Sequence, residues 1–503
     1  MAKYRTTDVA AGQGLFLSVN LQEQLLPDSF ECMLNEIIGT KIGLSVFDKK
    51  YKNDLTGASA VPPSAILKLI IYGYYNGCIS SRKIYELNKN NIIAKALTGD
   101  MEIHWTTIAD FISGNKEEVK ETFVQVLMYC NELGLIGGEN FAVDGLRLPS
   151  NASIEMGGTA EQLRKHLAVC RKMAAKHIER HARKDAQGAS DAETKERFEK
   201  RQKRLNRRIE KIEAFLEKMK KKEGWNGKEI QSNVTDNESA AIQSSKGFIQ
   251  GYVGIAVSDQ KRQVITGAQA FGSANEGGHL PEMLDRNAEN IKRAGVKAEE
   301  GKKPAMLGDP NYYSEENLRS CKDHGMQAVI ADSQAKRRLG PDGKNRYEID
   351  DFKYNEAEDY YECPQGKRLG YKRTTYKGGS EGKVYQASLK DCRQCHDFSK
   401  CSWSKKEQSE QNQGKALRVL KSSEQRILCR EMRKKLETVE YQDKYAYRIQ
   451  IVEPVFADIR HCKGLDRFTL RGKEKVNIQW LLYCMVHNLG KCLNGRNAIK
   501  SSA

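Results

Sequence analysis

Apolar residues recur at helical spacing through the first quarter of the chain. In "PPSAILKLIIYGYYNGCISSRKIYELNKNN" (62–91), prolines open an apolar helix, Asn76-Gly77 breaks it, and Ser80-Ser81 offers an N-cap for the next one. "TTIADFISGNKEEVKETFVQVLMYCNELGLI" (106–136) predicts two more helices with Gly114-Asn115 between them. The period then shortens. Phe141 to Val143 predict a short strand, closed by Asp144-Gly145. From 161 to 222 the chain is highly charged. Leu205, Ile209, Ile212 and Leu216 recur there at helical spacing, which predicts a helical hairpin broken near Gly188. β-Branched and aromatic runs at 246–259 and 263–272 predict two strands. A helix (280–295), a strand (305–309), a helix with Ser314 as N-cap and Gly325 as C-cap, and a strand (326–332) follow. A loop-rich, cysteine-bearing stretch runs to about 405, and helices complete the chain.

Setting the charged hairpin and the cysteine stretch aside, the order is strand, strand, strand, helix, strand, helix, strand, helix. That order predicts an α/β protein with a ribonuclease H-like mixed-sheet catalytic core. The expected division is an N-terminal helical domain (1–135) and the first part of the core (136–345), which carries a helical-hairpin insertion near 161–225. A cysteine-rich insertion (346–425) and a C-terminal catalytic helix region (426–503) follow.

Composition narrows the class of partner. Among 503 residues, Lys plus Arg number 83 against 66 Asp plus Glu, a net charge of +17. Such an excess favours polyanions, nucleic acid before acidic membranes. At 39% hydrophobic the chain is too apolar for a disordered protein. The first residues lack an apolar signal segment, and the most apolar run is too short for a bilayer and is broken by Lys68. A soluble, cytoplasmic, nucleoid-associated DNA-binding protein is the expectation, with no membrane partner. The N-terminal bundle, with Arg82, Lys83 and Lys89 on it, fits either DNA binding or a packing module; the charged hairpin fits either a phosphate-binding face or a solvated helix pair.

Asp144 and Asp309 each follow a predicted strand, and Glu453 precedes Pro454, which places it at a predicted helix start. If the two strands are neighbours, both aspartates reach one sheet edge with Glu453 facing it. Three hard oxygen ligands grouped in this way suit two Mg²⁺ or Mn²⁺ ions. Taken singly, an aspartate after a strand is more often a turn former and Glu453 more often a helix-start residue; the three together carry the signal. Asp236 and Asp332 are competing carboxylates.

"FAVDGLRLPSNAS", "GDPNYYSEENLRSC" and "YRIQIVEPVFADIRHCKGLDRFTLRGKEKVNIQWLLYCMVHNLGK" resemble the three catalytic blocks of bacterial insertion-sequence DDE transposases. The similarity is to the insertion-sequence 1182 group, whose third block carries a Y…R…E…K signature, and residues 62–87 resemble that group's N-terminal helical domain. The resemblance implies a metal-dependent DNA transposase that cuts at terminal inverted repeats and joins the freed 3′-hydroxyl to target DNA, as a homodimer or higher oligomer. It implies a catalytic triad of Asp144, Asp309 and Glu453. The signature falls on Tyr445, Arg448, Glu453 and Arg460, and with Lys463 these basic and aromatic residues are the expected DNA contacts. Arg460 stands where lysine is usual, Arg448 lies one residue further from the glutamate, and Pro310-Asn311 departs from the second block. A hydrolytic nuclease of the same fold and an inactive DNA-binding derivative are the rival readings.

Cys363, Cys392, Cys395 and Cys401 fall between the second and third carboxylates. Cys392-x-x-Cys395 has the spacing that lets two thiolates share an ion, and the four fit a structural Zn²⁺, ahead of an iron–sulfur cluster or plain thiols. His396 is a substitute ligand. The other cysteines, Cys78, Cys130 and Cys484 among them, read as small core residues.

Overall fold

The computed structural model describes residues 20–50, 59–186, 192–223, 227, 229–244, 247–297, 301–332, 347–377, 380–401, 408–410, 412–420 and 427–502. The predicted hairpin break at Gly188 and the domain boundary at 345/346 lie outside the described residues.

The N-terminal helices come first, among them α1 (Phe30–Ile37), α2 (Pro63–Tyr75), α3 (Ser81–Asn90), α4 (Ile92–Thr98), α5 (Trp105–Gly114) and α6 (Lys116–Glu132). Ser80 Oγ accepts the Lys83 amide at the start of α3, as the serine pair predicts. The central sheet contains β1 (Asn140–Pro149), β2 (Ala240–Ser244), β3 (Gly247–Asp259), β4 (Ile265–Phe271), β5 (Ala305–Gly308) and β6 (Gln327–Ile330). Its order is β2-β3-β1-β5-β6, with β4 also paired to β3. β1 runs antiparallel to β3 and parallel to β5, so the sheet is mixed, as the ribonuclease H-like order requires.

Two long helices, α7 (Ala160–Ala186) and α8 (Ala192–Lys218), pack side by side between β1 and β2. Helix α9 (Leu280–Arg293) joins β4 to β5, and α10 (Glu315–Asp323) joins β5 to β6. Ser314 caps α10 through the Asn317 amide, and Gly325 beyond its end has φ +68°, both as predicted. A second antiparallel sheet follows, of β7 (Lys353–Asn355), β8 (Tyr360–Glu362), β9 (Arg368–Lys377), β10 (Ser380–Ala387) and β11 (Ala416–Leu420). The chain returns through α11 (Ile427–Leu436) and α12 (Val439–Ala457) to the long α13 (Lys473–Ser502).

Strand alternation divides the core between the two faces of the central sheet. Leu146, Leu148, Tyr252 and Ala256 pack with the N-terminal helices and α13 in one apolar cluster. Phe141, Val143, Val253, Ile255 and Val257 face α9 to α12 in another. Trp480 of α13 lies flat on β3 at Gly254, where any Cβ would stand 2.9 Å from the indole, and its Nε1 donates to the Ile255 carbonyl at 3.1 Å. Tyr74 and Tyr483 stack with centroids 4.2 Å apart, which ties the N-terminal helices to α13. Cys130 and Cys484 are fully buried core residues as expected, while Cys78 is half-buried.

Two local expectations are corrected. Asp144 does not close a short strand: β1 continues to Pro149, because residues 145–149 pair with β3 as far as Gly251. Glu453 does not start a helix. It lies near the C-terminal end of α12, and Pro454 is inside that helix. Proline has no N–H for the carbonyl four residues back, that of Gln450. The Gln263 Nε2 donates to that carbonyl at 3.0 Å in its place.

Candidate active site

The parallel register of β1 and β5 places the first two carboxylates. Val143 pairs with Gly308, so the next residues, Asp144 within β1 and Asp309 just beyond β5, stand side by side. Asp144 Oδ1 accepts the Gly145 amide at 2.8 Å, and its Oδ2 takes a 3.1 Å bond from Arg448 Nη1. Burial pushes the Asp144 carboxyl above its ordinary range and Asp309 adds to this, against the pull of the Gly145 amide and Arg448. Asp309 caps the short turn Pro310–Tyr312, accepting the Asn311 backbone and side-chain amides, each at 2.9 Å. It therefore also serves as the turn former that a post-strand aspartate usually is.

Both aspartates line an open cleft of about 520 Å³, whose walls also include Arg147, Glu276, Asn311, Arg460 and Asp466. Arg460 is thus brought to the aspartates, within a π-helical turn, Asp458–Cys462, that extends α12. Glu453 is exposed on α12 and lies outside the cleft lining. Tyr445 is half-buried against the core, under the Arg448 guanidinium at 5.9 Å from the ring centroid. Arg448 is turned to Asp144 and not to solvent, and its Nε is buried without a partner.

Lys463 is a correction. Only 4% of it is exposed, its ammonium donates 2.6 Å bonds to both Asp458 oxygens, and it lies over the Tyr75 ring. A buried lysine neutralising a half-buried carboxylate is not presented to a DNA phosphate. Of the competing carboxylates, Asp236 accepts from the buried Tyr252 hydroxyl and the Gly472 amide, and Asp332 pairs with Arg433. Both are structural.

Glu276 escaped the sequence reading. It sits between β4 and α9, buried in the cleft wall, with Oε1 accepting from Arg147 Nε at 2.7 Å. The only sequence signal was a glutamate before a glycine pair, Gly277-Gly278, at a strand-to-helix junction.

The four cysteines Cys363, Cys392, Cys395 and Cys401 come together around one cavity of about 280 Å³ beside β9 to β11. Cys363 Sγ accepts the Lys367 amide and Cys392 Sγ the Lys415 amide, each at 3.2 Å. Burial, with the neighbouring thiols, pushes Cys392 up and Cys401 to about 11. His396 is fully exposed beside Asp397. Among the described residues no three His, Cys, Asp or Glu side chains stand close enough to hold a metal ion as they are placed.

Residues 362–493 match the family model described as a transposase DDE domain, and residues 19–114 match a second model described as a transposase domain. The two matches indicate a DNA transposase of the insertion-sequence DDE type. The two matched domains together are consistent with the insertion-sequence 1182 group. No curated protein and no solved structure matches the transposase. The matched DDE segment contains Tyr445, Arg448, Glu453 and Arg460, and the four cysteines; Asp144 and Asp309 precede it. As a DDE enzyme the transposase catalyses phosphoryl transfer on DNA. Among the described residues no helix is long and apolar enough to cross a membrane.

Proposed function

We propose that this transposase cuts DNA at the terminal inverted repeats of its element and joins the freed 3′ ends to target DNA at the cleft holding Asp144 and Asp309. The observation that carries the reading is the β1/β5 register, which leaves two carboxylates side by side at the rim of an open cleft in a strongly basic chain. The donor set fits Mg²⁺ or Mn²⁺: hard carboxylate oxygens, one of them pushed up by burial and by its neighbour's charge, the strain that a divalent cation relieves. Asp144 and Asp309 would hold the cations, and the family resemblance makes Glu453 the third ligand. A pair of such ions supplies Lewis-acid chemistry for in-line displacement at phosphorus.

The chain's own residues supply the rest. Arg460, in the cleft wall, meets a phosphate oxygen next to the scissile bond and braces its charge. Arg448 neutralises Asp144 before cation binding, and Tyr445 fixes the guanidinium by stacking beneath it. The basic surface of α7 and α8, with Arg204, Arg207 and Lys211 lining one shallow groove, extends the phosphate contacts, and the N-terminal helices of residues 1–135 add end recognition. In this reading α7–α8 and the sheet β7–β11 are insertions in a ribonuclease H-like core spanning 136–345 and 426–503. The second sheet is held by Zn²⁺ on the four cysteines, and two or more copies assemble on paired element ends.

The test is cleavage and strand transfer on a labelled element end with Mg²⁺ or Mn²⁺. Asp144→Asn, Asp309→Asn and Glu453→Gln should each lower cleavage by about 10³-fold or more while end binding persists. Near wild-type cleavage by any one of them removes that residue from the site. Cleavage without joining makes the protein a nuclease.

A further inference from the structure

We infer that Glu276 is an additional carboxylate ligand of the catalytic divalent cations, held beside Asp144 and Asp309 by a glycine-dependent clamp. The inference rests on the reading of Asp144 and Asp309 as metal ligands and extends it to a residue outside the three blocks.

Backbone geometry brings Glu276 to the aspartates from both sides. A Cβ at Gly145, the residue after Asp144, would stand 3.0 Å from the Glu276 carboxyl carbon and Oε2 and 2.8 Å from Val253 Cγ1, so the carboxylate lies against the bare backbone of β1 and a methyl there would crowd it. On the other side, a Cβ at Gly277 would overlap the Asn311 carbonyl, which seats the Glu276 loop on the turn that Asp309 caps. Asn317 Nδ2 fastens the two, donating to the Gly277 and Tyr312 carbonyls, each at 2.8 Å. Three carboxylates are thereby fixed on three segments that local sequence does not relate.

A second observation points to a ligand. Tyr312 is completely buried, yet among the described residues its hydroxyl has no hydrogen-bond partner. Its backbone N–H donates to the Asp309 carbonyl at 3.1 Å and its side chain lies against Gly308, the last residue of β5, so the phenol is rooted in the turn that Asp309 caps. A buried, unpartnered donor on that turn is suited to the hydration shell of a cation held there.

Two arginines explain why the carboxylates stand apart as placed. Arg147 takes Glu276 Oε1 and Arg448 takes Asp144 Oδ2, leaving the other Glu276 oxygen, Oε2, turned to Gly145. Arg460 and Asp466 line the same cleft, and the carboxylates must release Arg147 and Arg448 for a divalent ion to take their oxygens.

The experiment is Mn²⁺ binding to the full chain without DNA, by calorimetry and by the rise in melting temperature with MnCl₂, with cleavage measured in parallel. Glu276→Gln should weaken Mn²⁺ binding by about tenfold or more and shrink the melting shift, with cleavage at least about 10²-fold lower. Arg147→Gln should bind Mn²⁺ at least as tightly as wild type, whereas a Glu276 that merely pairs with Arg147 would make the two variants alike. Should Glu276→Gln fail to fold, Gly145→Ala reads the same point: its methyl displaces the intact carboxylate, and Mn²⁺ affinity should fall. Wild-type Mn²⁺ affinity in Glu276→Gln, or in Gly145→Ala, while Asp144→Asn and Asp309→Asn lose it, overturns the role of Glu276 alone. Wild-type affinity in the two aspartate variants as well overturns the underlying assignment of the cleft.

Discussion

Arg448 Nη1 donates to Asp144 Oδ2 at 3.1 Å, joining residues 304 positions apart in the chain. The bond pins α12 to the middle of β1 and places a fixed cation on a carboxylate that burial and Asp309 both disfavour as an anion. Arg448→Met should lower stability at pH 7 by about 2 kcal/mol, the cost of leaving a part-buried charge uncompensated. Added Mg²⁺ should raise the melting temperature of this variant more than that of wild type, because the ion then meets an unopposed carboxylate. Thermal melts over a Mg²⁺ series check this; equal shifts in both proteins would mean that Arg448 and the cation do not share Asp144.

Asp458 accepts from His487 Nδ1 at 2.6 Å and from Lys463 Nζ, which locks the end of α12 to α13. Burial alone would raise this carboxyl, but the bonds from His487 and Lys463 outweigh it and bring it to about 2. A carboxyl depressed in the folded state stabilises above its unfolded pKa of about 4 and loses that contribution as pH falls through the folded value. The contribution is of order 2 kcal/mol, present at neutral pH and lost between about pH 4 and pH 2. Asp458→Asn should flatten that part of the acid-denaturation profile, as followed by circular dichroism from pH 7 to pH 2.

Gln263 stands in for the amide that Pro454 lacks, donating to the Gln450 carbonyl. Gln263→Ala should cost about 0.5–1 kcal/mol in wild type and less when Pro454→Ala restores the helix N–H. The strain of placing alanine at the positive φ of residue 263, +60°, is common to both backgrounds and cancels in a double-mutant cycle. Additive stabilities in urea melts would refute the substitution of one donor for the other.

Cys363 and Cys392 each accept a backbone amide at sulfur, at 3.2 Å, on the cavity that all four cysteines line. Purified protein should carry about one zinc per chain, and Cys392→Ser should lose it and release the second sheet from its fold. Elemental analysis with limited proteolysis of 347–420 is the measurement. Full-length protein with neither zinc nor iron, yet a protected second sheet, would reduce the four residues to plain thiols.

The elements themselves were legible in the sequence because their signals are local. Ser80 and Ser314 cap the helices they precede, Gly325 ends α10, and the alternation along β3 marks its two buried faces. The sequence also carried the strand–helix order of a mixed sheet, the family blocks around Asp144, Asp309 and Glu453, and the grouping of four cysteines. Where the local signal was ambiguous the reading failed. Asp144-Gly145 looks like a turn until nine residues of β3 pair alongside it, and Pro454 looks like a helix start until Gln263 arrives from the β3–β4 connection to satisfy Gln450.

Three decisions belonged to tertiary structure alone. Lys463 became the buried counter-ion of Asp458, a carboxylate that His487 of α13, 29 residues further along, also bonds. Arg448 turned from a DNA-facing residue into the partner of Asp144. Glu276 reached the cleft of the aspartates because Gly277 lets its loop close on the Asn311 carbonyl and the Asn317 side chain ties the Gly277 and Tyr312 carbonyls together. Propensity and periodicity act over a few neighbouring residues, so they fix which elements form. The charge that surrounds a carboxylate is set by what the packed sheet brings within a few ångströms of it, and that distance is not written in the spacing along the chain.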